Sequence, residues 1–235
     1  MKTIKSALHP MNLATLFLLL ISSQVLIAQT SYSPARFSND PQSLQNRFNL
    51  EELEEDIDII IRCFAQVGQT GRMSAVYCVG RDETNSRFFR DILRAARGSQ
   101  LVPARVDGTE VNVSMFMFTV RIIKQGEDQG FLLYPHHTHN WEAFGESYSA
   151  AQRYGVHRGA DCDARTDRFG DQNARMVYSV SEDGSTGEEI VAVDEIFADC
   201  VSAYSSFIST SIYIPAHAGG EPVETTVVEW FIKKR

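Results

Sequence analysis

The first half of the chain alternates between apolar and polar positions in a way that predicts two strands, a helix and a third strand. Ile57–Val67 alternates with a period of two, and Met73–Val79 follows a turn flanked by glycines, which is typical of a hairpin. A third strand is predicted from Glu110 to Ile123. Between these strands, four apolar residues fall on one stripe of a predicted helix: Phe89, Ile92, Leu93 and Ala96.

The second half has the same order of patterns. Strands are predicted at Arg175–Ser181, Glu189–Val193 and Val223–Ile232. A helix between the last two carries Phe197, Val201, Tyr204 and Ile208. The predicted fold class is therefore α+β, with two tandem β-β-α-β units. In each unit a three-stranded antiparallel sheet is expected to pack against one helix.

Short phrases recur in the same order in both halves, as expected of an internal repeat. The turn Gly68-Gln69-Thr70-Gly71 returns as Gly184-Ser185-Thr186-Gly187. Further along, Pro103, Ala104, Gly108 and Val111 return as Pro215, Ala216, Gly220 and Val223. A unit of about 65 residues has a marginal core, so disulfides, pairing of the two units or formation of a homodimer would help to stabilise it.

The N-terminus has the layout of a secretory signal. Lys2 and Lys5 precede an apolar stretch from Leu13 to Ile27, and we place cleavage after Ala28. The alternative is an uncleaved membrane anchor, because the run from Met11 to Ala28 is just long enough to cross a bilayer.

The rest of the chain divides by composition. Residues 29–48 are polar, contain two prolines and are predicted to be disordered. Asn140, Trp141, Phe144 and Tyr148 have the spacing of an N-cap and an apolar helix stripe. The predicted order is a signal peptide (1–28), a disordered lead (29–48), a first unit (49–124), a linker (125–173) with a short helix at 141–154, and a second unit (174–235).

Charge and cysteine content narrow the function classes. Loss of two lysines with residues 1–28 would change the formal net charge from −8 to −10. This balance argues against nucleic acid or anionic lipid as a partner, because both require clustered Lys and Arg. Four cysteines in an exported chain favour two disulfides. Of the three pairings, Cys63 with Cys78 links two neighbouring predicted strands and leaves Cys162 to pair with Cys200.

Residues 176–232 resemble the C-terminal domain of TonB. The resemblance rests on an apolar strand, a Glu-Asp-Gly turn, a helix led by Phe, and a final phrase with Tyr213, Pro215, Ala216, Gly219, Gly220, Pro222 and Val223. The first half matches through Leu101, Pro103, Ala104, Asp107, Gly108 and Val111. In that family the domain works in the periplasm and binds a segment of an outer-membrane receptor at a sheet edge.

The resemblance implies a protein-binding role for the closing strands. The implied edges are Val111–Ile122 and Val223–Phe231, with partner-binding residues Val111, Val113, Met115, Val223, Thr225, Val227 and Trp230. The family's energy transducers have a retained anchor and a long Pro-rich spacer, and this chain has no such spacer. We therefore expect a periplasmic or secreted adaptor without cofactor or enzymatic activity, accessory to energy-coupled transport. An anchored energy transducer is the alternative if the N-terminus is retained.

A histidine cluster offers a different function. His136, His137 and His139 lie close together in sequence, and imidazole nitrogens bind zinc, copper or nickel. The alternative interpretation is a polar, solvated loop, because no Cys or Glu completes a specific metal-ligand spacing. The chain contains no nucleophile elbow, phosphate loop, dinucleotide fingerprint or zinc-protease helix.

Overall fold

The computed structural model describes residues 30–79, 86–137, 140–145, 147–155, 173–192 and 198–232. Its strands are β1 (Tyr32–Ser33), β2 (Ile57–Val67), β3 (Met73–Val79), β4 (Arg105–Val106), β5 (Thr109–Glu110), β6 (Val113–Gln125), β7 (Asp128–Tyr134), β8 (Gln152–Tyr154), β9 (Asn173–Val180), β10 (Thr186–Ala192), β11 (Ile212–Ile214), β12 (Ala216–Ala218), β13 (Glu221–Val223) and β14 (Thr225–Ile232). Its helices are α1 (Leu44–Arg47), α2 (Ser86–Ala96), α3 (Trp141–Phe144) and α4 (Ala198–Ser209). All strand pairs are antiparallel. The predicted α+β class is therefore confirmed.

A six-stranded sheet forms the centre of the unit Ser31–Arg235. Its strands lie in the order β11-β8-β6-β2-β3, and β7 pairs with another part of β6. The prediction of a three-stranded sheet for the first half was therefore wrong. On the side of β6 away from β2, two more strands form hydrogen bonds. β7 pairs with residues 119–125 of β6, and β8 pairs with its first residues, near Val113 and Met115.

Alternating side chains give this sheet two packed faces. One face presents Ile61, Phe116 and Phe118 to a core that includes Ile92 of α2. The opposite face presents Phe64, Met115 and Met117 to a second core, which contains residues of β9, β14 and α4. The period-two pattern of β2 and β6 therefore sorts their residues between two separate cores.

A three-stranded sheet with the order β10-β9-β14 contributes to the second core. Its central strand β9 pairs along the whole of β14 and, with a register shift, along β10. In the larger sheet, β2 likewise lies between its hairpin partner β3 and the later strand β6. Two small sheets, β1-β4-β5 and β12-β13, complete the described strands.

Residues 30–48 are ordered, which corrects the prediction of disorder for this part of the lead segment. Ala35, Leu44 and Phe48 are buried in the first core. The Ala35 backbone N–H donates to Gln152 Oε1 at 2.8 Å, and Gln152 Nε2 donates to the Ala35 carbonyl at the same distance. A few well-placed apolar residues and this paired amide hold a segment whose average composition is polar.

The predicted linker also contains structure that differs from the prediction. β7 and β8 lie within residues 125–173, and the helix predicted at 141–154 is only the short α3. Asn140 does not cap a long helix, because its Nδ2 donates to the Tyr148 hydroxyl, Thr225 Oγ1 and the Thr226 carbonyl. The apolar spacing of Phe144 and Tyr148 instead produces a stacked ring pair in an irregular segment.

The disulfide between Cys63 and Cys78 is confirmed, and the two cysteines are directly paired across β2 and β3. Cys162 and the side chain of Cys200 lie outside the described residues, as do the predicted signal peptide and the alternative anchor. Among the described residues, no helix has the length and apolar character needed to span a bilayer.

Two glycines occupy matching positions beside the carbonyls that precede the Pro-Ala phrases. Gly71 has φ +82° and a side chain there would collide with the Leu101 carbonyl, while Gly184 has φ +83° and would collide with the Tyr213 carbonyl. Both positions therefore require glycine for its conformation and its lack of a side chain.

Candidate protein-binding edge

The first closing strand does not offer an edge. β6 is paired with β2 on one side and with β7 and β8 on the other. Val113 and Met115 are buried, and Val111 is half-buried and packs against the first core. The predicted binding edge at Val111–Ile122 is therefore wrong, because the segment read as a linker supplies the strands that cover it.

The second closing strand is paired on one side only within the described residues, but its other side is partly occupied. Asn140 Nδ2 donates to the Thr226 carbonyl and the Tyr77 hydroxyl donates to the Trp230 carbonyl at 2.9 Å. These carbonyls are four residues apart and so lie on the same edge of β14. Side chains of the chain itself therefore block part of this edge.

The predicted binding side chains of the second half are also largely buried. Thr225 and Val227 are buried, and Trp230 is half-buried with Arg175 over its ring. Val223 lies outside β14 and pairs with Ala216 in the small sheet of β12 and β13. These residues contribute mainly to packing.

Other outer strands carry features that interrupt strand addition. β3 contains Ala75 at φ +46°, and its Met73 N–H and C=O are bonded to Ser99 and Gly98. β11 has three residues, and β10 has a register shift between Thr186 and Ile190. Short length, bulges and local cover are common ways in which proteins protect sheet edges from other chains.

β7 has none of these protections in the described part of the chain. It forms a hairpin with β6 through Gly126 and Glu127, and Gly126 has φ +60°, as a type II′ turn requires at its first central residue. The flanking pair Gln125–Asp128 closes the turn with a backbone hydrogen bond. Antiparallel alternation then directs the backbone groups of residues 128, 130, 132 and 134 toward β6.

The intervening residues Gln129, Phe131 and Leu133 consequently direct their N–H and C=O groups away from β6. No described residue hydrogen-bonds to these backbone groups. Their side chains lie on the first-core face, where Phe131 contacts Phe48 edge to face and Gln129 Oε1 accepts a bond from the Leu53 N–H. The side chains thus anchor β7, and no described residue pairs with its outer backbone edge, which we call the open edge.

Two exposed aliphatic side chains lie on the opposite face of the sheet, Leu132 on β7 itself and Ile60 two strands inward. Leu132 is 46% exposed and Ile60 is 41% exposed, and both are in register with Arg121 of β6, which lies between them. Arg121 donates to both carboxylate oxygens of Asp58, at 2.8 and 2.6 Å. These hydrogen bonds hold the pKa of Asp58 below its ordinary value. On this face, therefore, a fixed surface ion pair separates the two aliphatic side chains, and Leu132 is the one at the β7 edge.

A buried ion pair fixes the sheet that contains β14 against the central sheet. Arg153 of β8 donates to both oxygens of Glu229 in β14, at 2.9 and 2.6 Å. The Tyr178 hydroxyl donates to Glu229 at 2.9 Å and accepts a bond from Tyr213 at 3.1 Å. Burial and the nearby charge of Glu229 raise the pKa of Tyr178 well above its ordinary value. Sequence analysis missed this cluster, because no local pattern links residues 153 and 229.

The histidine segment is buried where the structure describes it. His136 and His137 are almost inaccessible, with His136 Nδ1 3.0 Å from the His137 carbonyl and His137 Nε2 3.2 Å from the Cys63 carbonyl. His137 also contacts Phe64 edge to face. The solvated-loop interpretation is therefore wrong for these two residues. Within the described residues no group of three metal-ligand side chains is present, and His139 lies outside them.

The repeated motif residues lie at turns and small sheets. Ala104, Pro215 and Ala216 are buried, while Pro103 and Pro222 are half-buried. Gly108 and Gly220 occupy exposed turn positions with φ +76° and +94°. These residues shape the backbone and present no chemistry to a partner. Comparison of the chain with protein-family models, curated proteins and solved structures finds no match.

Proposed function

We propose that this chain is an exported protein-binding module that accepts an extended segment of another protein at the open edge of β7. The observation that carries the proposal is that, among the described residues, none pairs with the backbone groups of Gln129, Phe131 and Leu133. An added strand would form main-chain hydrogen bonds with these groups, and its alternate side chains would cover Leu132. The edge thus supplies affinity, and Leu132 supplies preference for aliphatic residues.

Export and a periplasmic or secreted location belong to the same proposal. The Cys63–Cys78 disulfide supports them, because disulfides persist mainly in oxidising compartments. The binding mode is the one implied by the resemblance of residues 176–232 to the TonB C-terminal domain, but the proposed edge lies on a different strand. No catalytic step is proposed.

We further propose that the two halves are diverged copies of one unit. The shared strand orders β3-β2-β6 and β10-β9-β14 support this, as do the matched glycines Gly71 and Gly184. This structural alignment matches Gly71 with Gly184. The repeated turn phrases instead match Gly68 with Gly184, so the two alignments differ by three residues. The first copy then gained β7 and β8 on its closing strand, which moved the free edge outward to β7.

Peptide selection followed by site-specific variants tests the binding proposal. Peptides of about twelve residues, long enough to pair with all of β7, would be selected by phage display against the purified chain. Their affinity would then be compared for the wild type, Leu132→Lys and the matched control Ile212→Lys, since Ile212 is 49% exposed on a different edge strand.

We expect selected peptides to lose about tenfold or more in affinity for Leu132→Lys, which adds a charge and removes an apolar contact at the edge. Affinity for Ile212→Lys should stay unchanged. Binding should slow amide exchange at Gln129, Phe131 and Leu133. Equal affinity for both variants, protection elsewhere, or failure to select any peptide would contradict the proposal.

A further inference from the structure

The open edge of β7 is self-complementary. Its outward backbone groups belong to Gln129, Phe131 and Leu133, which are spaced evenly about Phe131. If a second β7 approaches in the antiparallel direction with Phe131 opposite Phe131, Gln129 of each copy faces Leu133 of the other. Every outward N–H then meets an outward C=O, because alternate residues of both strands point the same way.

We propose that β7 pairs with β7 of a second copy of this chain, in this register, when no other partner occupies the edge. This inference rests on the proposed function, because both require the open edge of β7. It deepens that proposal by naming a partner. The pairing would join two six-stranded sheets into one continuous antiparallel sheet.

Side chains on the exposed face fit this register. Gly130 of one copy lies opposite Leu132 of the other, and a Cβ placed on Gly130 would meet nothing within 4 Å in the single chain. Glycine leaves room for the opposing leucine, since residues in such non-hydrogen-bonded pairs approach most closely. The two Leu132 side chains would then be partly covered, each against Gly130 of the other copy.

No charge near the centre of β7 itself opposes the pairing. Asp128 is the one ionisable acid or base among the strand residues Asp128-Gln-Gly-Phe-Leu-Leu-Tyr, apart from the tyrosine. It lies at the end of the strand and would face Tyr134 of the second copy, so the two aspartates stay at opposite ends. Edges that avoid such pairing usually carry lysine or an inward-pointing charge near the centre, and β7 carries neither.

Sedimentation of the purified chain over a range of concentrations tests the inference. We expect a reversible monomer–dimer equilibrium in the wild type and in Ile212→Lys. Leu132→Lys should weaken the dimer by about tenfold or more, because each copy places a lysine beside the opposing edge. Adding Gly130→Glu to Leu132→Lys should restore dimerisation, since each Glu then faces a Lys of the other copy.

A cysteine pair checks the register independently. Gly130→Cys combined with Leu132→Cys should give a covalent dimer on oxidation, whereas either cysteine alone should not, because each faces a residue other than itself. A monomer at every concentration, no rescue by Gly130→Glu, or crosslinking by the single variants would overturn self-pairing. A monomer whose β7 binds selected peptides would leave the proposed function standing. A dimer that survives Leu132→Lys would place the self-association on another surface.

Discussion

Glu229→Gln keeps the shape of a buried side chain but removes the charge that faces Arg153. Both side chains are nearly inaccessible, with 3% and 6% of their surfaces exposed. Glu229 accepts two bonds from Arg153 and one from Tyr178. Glutamine can accept at one oxygen only, so the variant leaves the Arg153 cation buried without its counter-charge.

The expected loss follows from the cost of an unpaired buried charge. Removing one partner of a buried ion pair costs about 3–5 kcal/mol. Since a domain is stable by roughly 5–15 kcal/mol in total, this is a large fraction. For a chain of this length each kcal/mol lowers the melting temperature by about 2–4 °C, so we expect a decrease of about 6–20 °C.

Urea unfolding followed by circular dichroism measures the change, with Asp58→Asn as the matched control. Asp58 likewise accepts two hydrogen bonds from one arginine, Arg121, but 47% and 33% of these two side chains are exposed. An exposed pair contributes about 0–1 kcal/mol. Combined replacement of Arg153 and Glu229 by methionine should cost less than Glu229→Gln alone, because no charge is then left buried.

Similar losses for Glu229→Gln and Asp58→Asn would refute this reasoning, since burial is the feature that distinguishes the two pairs. A double methionine variant less stable than Glu229→Gln would refute the part of the argument that assigns the cost to the orphaned cation. A spectroscopic change confined to the second core would fit the position of Glu229 between the two sheets.

Further predictions concern backbone, disulfide and pH. Gly184→Ala should lower the free energy of unfolding by about 2–4 kcal/mol, because the added Cβ would collide with a carbonyl and the residue has a positive φ. Gly108→Ala, at a turn with open space around it, should lower it by only about 1 kcal/mol. Urea unfolding measures both losses, and equal losses would contradict the close packing at Gly184. Cys63→Ala with Cys78→Ala should cost about 3 kcal/mol by the same assay, and reduction of the wild type should match it. The pKa of Asp58 in the folded chain lies below its ordinary 3.8, so the contribution of this carboxylate to stability is present above pH 3.8 and is lost as the pH falls through the folded pKa. Carboxyl titration by NMR should show the lowered pKa. Replacement of Arg121, whose guanidinium binds Asp58, should return the pKa toward 3.8.

Local sequence patterns were sufficient to predict the β2–β3 hairpin and its disulfide. Alternation along β2 and the glycine-flanked turn predict that Cys63 lies within a residue or two of facing Cys78, and the structure pairs them directly. The helical stripe carried by Ile92 likewise predicts the buried face of α2. These features depend on neighbours close in sequence, whose geometry is set by backbone periodicity.

The free edge could not be predicted from local pattern. The turn-forming residues from Gln125 to Gly130 fall at the start of the predicted linker, but Gly126 forms a tight turn and a strand resumes at Asp128. Which strand ends a sheet depends on what pairs beyond it, and β7 covers the strand predicted to be free. Arg153 and Glu229 meet across 76 positions of sequence, so only the tertiary fold brings them together.

Residue-resolved hydrogen exchange of β7 in dilute solution tests the open edge most directly. The hairpin register predicts slow exchange at Gly130 and Leu132, whose N–H groups point toward β6, and fast exchange at Gln129, Phe131 and Leu133. Raising the protein concentration or adding a selected peptide should slow the second set alone. Uniformly slow exchange along β7 in the dilute monomer would show that its outer side is already covered, and would contradict the account.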